Sequence, residues 1–91
     1  MLITKLSAMP YAQARVINHL VRKDLISYTT RVAYIMGDVL VVQGLYSQTT
    51  RRHIGAFVRE FAGCDYATAK ECYTREMGYN IKTRKFCPIP D

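Results

Sequence analysis

The stretch Leu25–Ser47, LISYTTRVAYIMGDVLVVQGLYS, decides how the chain is read. Ser, Thr, Val, Ile and Tyr crowd both sides of Gly37-Asp38. Glycine followed by Asp predicts a two-residue hairpin turn, since both supply positive φ. That turn sets Met36 opposite Val39, Ile35 opposite Leu40, Tyr34 opposite Val41, Ala33 opposite Val42 and Val32 opposite Gln43. One face then carries Ala33, Ile35, Leu40 and Val42. The other carries Val32, Tyr34, Met36, Val39 and Val41. Both are apolar near the turn, whereas a solvated sheet face alternates with polar residues. Either helices cover both sides, or one side meets a partner. A homodimer through the apolar hairpin face is one form of the second case.

Upstream, Leu2 to Leu6 suits a short extended start. Ser7 and Pro10 then mark the start of a helix, because proline is tolerated in the first turn. Val16, Ile17, Leu20 and Val21 continue it at helical spacing. Arg15, Arg22 and Lys23 cluster toward its end, where cations complement the helix dipole.

Downstream, Ser47 or Thr49 caps a second helix. Ile54, Phe57, Val58 and Phe61 form its core stripe at i, i+3, i+4, i+7. Arg52, Gly55 and Arg59 fall on a different stripe, with Arg51 beside it. Gly63 ends this helix in the left-handed conformation. Asp65 caps a third helix with an apolar stripe of Tyr66, Ala69, Tyr73 and Met77, and Gly78 is its natural stop. Asn80 to Phe86 reads as a basic edge strand, whose Lys and Arg discourage unwanted pairing. The prolines of the 87–91 tail end any ladder. The predicted fold class is α+β: an N-terminal helix, a β-hairpin, two consecutive helices and a short C-terminal edge strand. The helices pack on a small antiparallel sheet.

A chain of 91 residues predicts one domain over 1–91 with a thin core. A surface or shallow groove suits binding at this size better than an enclosed cavity. Formal net charge is +6, from 13 Lys and Arg against 7 Asp and Glu. Basic proteins of this size meet nucleic acid, acidic proteins or anionic surfaces. Three cysteines, Cys64, Cys72 and Cys87, follow an N-terminus without a secretory pattern. That combination predicts a reducing, cytoplasmic setting. No run of apolar residues is long enough for a membrane span, so no membrane partner is expected.

Enzyme signatures are weak. A zinc site from His53, Cys64, Cys72 and Cys87 lacks the close ligand pairs that preorganise half a tetrahedron. A Cys nucleophile with His19 or His53 as base has no local signature. Glu71 and Glu76 balance Lys70 and Arg75 on a helix face more simply than they form a nuclease carboxylate pair with Glu60 or Asp65. No glycine-rich phosphate loop is present. The expectation is a non-enzymatic protein without metal or cofactor.

Basic residues interleaved with aromatics carry the binding signal. Arg51, Arg52, Arg59 and Arg31 are the phosphate- or partner-binding candidates, with Lys82, Arg84 and Lys85 adding an edge. Tyr28, Tyr34 and Tyr46 are candidate stacking or interface aromatics. The structural alternative places the tyrosines in the core and leaves the arginines merely solvated. A helix-turn-helix docking would offer Thr68, Lys70, Thr74 and Arg75 to a major groove. Glu71 and Glu76 on that same helix oppose it.

Ser27, Tyr28, Thr30, Val32 and Ala33, followed by Gly44, Tyr46, Ser47, Thr49, Thr50, His53 and Ile54, form a pattern, S-Y-x-T-x-V-A … G-x-Y-S-x-T-T-x-x-H-I. It resembles a group of small proteins of bacteriophages and other mobile elements, many from gut bacteria. The match spans Ser27 to Phe61. The group has no assigned catalytic residues to transfer. The resemblance implies a small accessory protein inside the bacterial host cell. It implies binding to a host protein or nucleoprotein complex that handles nucleic acid, in the manner of an anti-CRISPR or other anti-defence inhibitor. Direct DNA or RNA binding through the basic face, and homo-oligomeric assembly, are the competing readings.

Overall fold

A computed structural model describes residues 2–10 and 12–90; Met1, Tyr11 and Asp91 lie outside the described residues. The chain forms one seven-stranded antiparallel sheet whose strands lie side by side in sequence order. The strands are β1 (Leu2–Thr4), β2 (Ala14–Asn18), β3 (Arg22–Ser27), β4 (Thr30–Met36), β5 (Val39–Val42), β6 (Gly78–Asn80) and β7 (Lys85–Cys87). Two helices, α1 (Gln48–Phe57) and α2 (Tyr66–Arg75), fill the excursion between β5 and β6.

The central hairpin has the register expected from its turn: Met36 pairs Val39, Ile35 pairs Leu40, Tyr34 pairs Val41 and Ala33 pairs Val42. Gly37 holds a φ of 60°, whereas Asp38 has no positive φ. A turn that is left-handed at its first central position only meets the twist of the strands.

The predicted N-terminal helix is overturned. Residues 14–18 and 22–27 are strands β2 and β3, paired from Ala14↔Ser27 to Asn18↔Lys23. Val16, Ile17, Leu20 and Val21 fit a helical period, but a short apolar run fits a strand as well. The β-branched Val16 and Ile17 pack on a pleated surface at least as readily. Leu20 and Val21, which a helix would have buried, sit in the β2–β3 turn at 100% and 68% exposure. Arg15, Arg22 and Lys23 therefore lie on strands rather than at a helix end. The single C-terminal edge strand is also corrected. Residues 78–87 form the hairpin β6–β7, with Asn80 and Lys85 closing its turn. Pro88 to Pro90 follow without regular structure.

Core packing follows the alternation. Val16, Leu25, Ala33 and Val42 are cross-strand neighbours on one face, as are Ile35, Leu40 and Tyr79. These residues join Ile54, Phe57, Val58, Ala69 and Cys72 of the helical segment in one core, capped by Leu6 from the β1–β2 loop. Burying each such large side chain contributes about 1.5–3 kcal/mol. Val32 is the extra residue of a bulge in β4 and is buried in this core rather than on the opposite face. The opposite face is closed by long side chains. The Arg31 guanidinium lies 4.8 Å from the Tyr34 ring centre, and Tyr73 and Ile89 border Tyr34 and Val41 at the edge.

The helical corner follows its caps. Ser47 Oγ accepts from Thr50 N at 3.2 Å at the start of α1. Beyond Phe57 the helix widens into a π-turn over Val58–Ala62, ended by Gly63 at φ 66°. Asp65 Oδ1 accepts from Thr68 N at 3.0 Å to start α2. α2 ends at Arg75 with Glu76 left-handed, before the expected stop at Gly78, which opens β6. Among the described residues no helix is long and apolar enough to cross a membrane.

Candidate functional site

Gln48, Arg51, Arg52, Gly55 and Arg59 repeat at i, i+3, i+4, i+7 and i+11, so they share one helical stripe. The buried His53, Ile54 and Phe57 of α1 occupy the other side. Met9 of the β1–β2 loop and Tyr66 of α2 complete a groove of about 510 Å³ along that stripe. Gly55 faces the start of α2: a Cβ there would lie 3.5 Å from Tyr66 Cβ and 3.6 Å from Arg59 Nη1.

The charge in this groove is unopposed. Among the described residues no carboxylate lines it. Among the described residues, Arg51, Arg52 and Arg59 make no ion pair and no side-chain hydrogen bond. The acid next to Arg59 in sequence is engaged elsewhere. Glu60 Oε1 accepts from Ser7 N at 2.8 Å, and Oε2 accepts from Ser7 Oγ at 2.8 Å. That pair of bonds also ties the β1–β2 loop, and with it Met9, to the helix. The π-turn that carries Arg59 and Glu60 is an uncommon feature, frequent at functional sites. Three like charges on adjoining turns raise the local potential and favour an anion.

The other candidates are dispersed. Lys82 Nζ lies 3.7 Å from Asp38 Oδ1. Arg84 Nη1 donates to Gly63 O at 3.2 Å, where it closes the end of the first helix. Lys85 stands exposed on β7, the outer strand of the sheet. Arg31 Nε donates to Gln43 Oε1 at 2.8 Å on the face opposite the core. Tyr34 lies beneath that guanidinium. Tyr28 is left-handed at the β3–β4 turn, its ring 5.9 Å from the ring of His53. Tyr46 is exposed and left-handed, with its ring packed over Gly44. The three tyrosines thus occupy three separate settings and form no common stacking platform.

Two constellations escaped the sequence reading. Asp24, in mid-strand on the face opposite the core, is buried. His19 Nε2 lies 3.1 Å from Asp24 Oδ2, Arg22 Nε 2.9 Å from Oδ1 and Arg31 Nη1 3.8 Å from Oδ1. Arg22 Nε and Asp24 Oδ1 are close as an ion pair but lack hydrogen-bond alignment. No spacing signal announces such a cluster, because it is assembled across strands.

The second is a buried polar chain. Ser47 Oγ donates to Thr50 Oγ1 at 3.2 Å, Thr50 Oγ1 lies 3.1 Å from Ser27 Oγ, and Ser27 Oγ lies 2.8 Å from His53 Nδ1. All four residues belong to the pattern quoted above. A neutral ring protonated at Nε2 lets every hydroxyl in this chain donate in one direction. Burial pushes the His53 pKa down, which favours that neutral form. Ser27 and His53 are both sealed in the core edge, so the chain anchors α1 to β3 and offers no open nucleophile.

The three cysteines are free thiols. Among the described residues no three His, Cys, Asp or Glu side chains gather as a metal site.

Residues 2–77 match a family of unknown function, DUF8033. The chain belongs to that family. The DUF8033 region takes in both the Ser47–Thr50–Ser27–His53 chain and every residue of the arginine groove. No curated protein and no solved structure matches the chain.

Proposed function

We propose that this DUF8033 chain is a non-enzymatic binding protein that uses the α1 groove to engage an anionic surface of a host nucleic-acid-handling complex. It acts in the cytoplasm of a bacterial cell as a phage or mobile-element inhibitor of defence. One observation carries the site: Arg51, Arg52 and Arg59 line a single groove that, among the described residues, holds no carboxylate. Guanidiniums with no structural partner are available for bidentate contact with carboxylate or phosphate. The setting comes from the sequence resemblance.

The test is capture of host proteins on the immobilised chain, beside an Arg51→Glu/Arg52→Glu/Arg59→Glu variant. Among the described residues these side chains have no partners to lose, so the variant keeps its stability within about 0.5 kcal/mol per site. Loss of a captured complex in this folded variant supports the groove. Equal capture by both proteins sinks it.

A further inference from the structure

We infer that the groove's ligand is a nucleotide unit of a single-stranded nucleic acid. This rests on the groove reading above and names its partner. The groove is amphipathic, not merely cationic. Arg51, Arg52 and Arg59 supply charge, while Met9, Gly55 and the Tyr66 ring supply apolar surface and Gln48 an amide. A phosphate alone, or the carboxylate of an acidic segment, uses the first set and leaves the second idle. A nucleotide uses both: its phosphate takes guanidinium N–H groups, and its base lies on Met9 and Tyr66. The Gln48 amide both donates and accepts, as a base edge requires. The volume of about 510 Å³ lies within the range of small-molecule clefts, about 300–1,000 Å³.

The Tyr66 hydroxyl is shut off from solvent, so what Tyr66 offers the groove is its carbon surface. The absence of a Cβ at residue 55 leaves the floor open where Tyr66 and Arg59 approach. The unpaired strand follows from the same geometry. Only a base outside a duplex stack exposes its π-face to a side-chain floor.

The experiment is fluorescence anisotropy of the full chain with a labelled oligothymidylate, an abasic strand of equal length and poly-glutamate of equal charge, at about 50 and 200 mM salt. The expected result is salt-sensitive binding of the oligothymidylate, with the abasic strand weaker by roughly tenfold. The triple Arg→Glu variant loses this binding. Tyr66→Leu, which removes the stacking ring but keeps apolar bulk, weakens it severalfold without changing the salt slope. Equal affinity for the abasic strand overturns the inference in favour of bare phosphate attraction. Tighter binding of poly-glutamate overturns it in favour of an acidic protein segment. No oligothymidylate binding overturns it as well. In those last two cases, loss of host-complex capture in the triple variant still upholds the groove, so the two readings fail separately.

Discussion

His53 Nδ1 on α1 lies 2.8 Å from Ser27 Oγ on β3, both fully enclosed, and this bond fastens the helix that carries the arginine groove to the sheet. The histidine is a structural member of the molecule. Its partner is the Ser27 hydroxyl and its neighbour ring is Tyr28.

Protonating His53 therefore opposes folding. Burial holds the folded pKa below the unfolded value of 6.5. Between those two values the unfolded chain binds more protons, so stability rises with pH. The contribution is complete above pH 6.5 and is lost as pH falls from 6.5 through the folded pKa. Denaturant titrations of the wild type and of His53→Gln check this. The wild type loses more stability than the variant on going from neutral to mildly acidic pH. Parallel profiles would refute it. Ser27→Ala removes one partner and costs about 1–3 kcal/mol at neutral pH.

Asp24 holds His19, Arg22 and Arg31 around one buried carboxylate. The two arginines are about one-third exposed, so solvent screens them when the anion is removed. Asp24→Ala is expected to cost about 1–2 kcal/mol, below the penalty for stranding a fully buried charge. Chemical denaturation measures it, and an unchanged midpoint would show the cluster to be energetically idle.

Glu76 ends α2 with a φ of 55°, a conformation that disfavours a residue with a Cβ. Its exposed side chain makes no ion pair or hydrogen bond among the described residues. Glu76→Gly is expected to raise stability by about 0.5–1 kcal/mol, since glycine is the favoured residue there. A lowered melting temperature would contradict this account of the helix end.

Cys72 is buried, and burial, helped by the neighbouring Cys64 and Cys87, pushes its pKa up to about 12. The thiolate is the reactive form. Iodoacetamide at pH near 8 is expected to leave Cys72 unmodified in the folded protein and to alkylate it once denaturant is added. Peptide mass spectrometry reads both states.

Legibility followed the range of the interactions. The Gly37 hairpin, its register, the Ser47 and Asp65 caps and the Gly63 stop all depend on residues within a few positions of one another. So does the Arg51–Arg52–Arg59 stripe, and its continuation through Gln48 was readable at the same spacing. The first helix was misread because Arg15–Val21 carries apolar residues that satisfy two periods at once. Pairing with β3 and β4, a long-range matter, chose the strand.

The amino-acid sequence by itself determined the hairpin, the helical corner, the excess of cations and the helix face on which three of them stand. Each of these follows from local backbone preference and side-chain period. Only the tertiary structure decided the rest. It extended the sheet to seven strands, brought Asp24 under His19 and two arginines, joined Ser27 to His53, and set Met9 and Tyr66 beside the arginines. The physical reason is that cross-strand register and loop closure place residues far apart in sequence within contact distance, and no local spacing records which ones will meet.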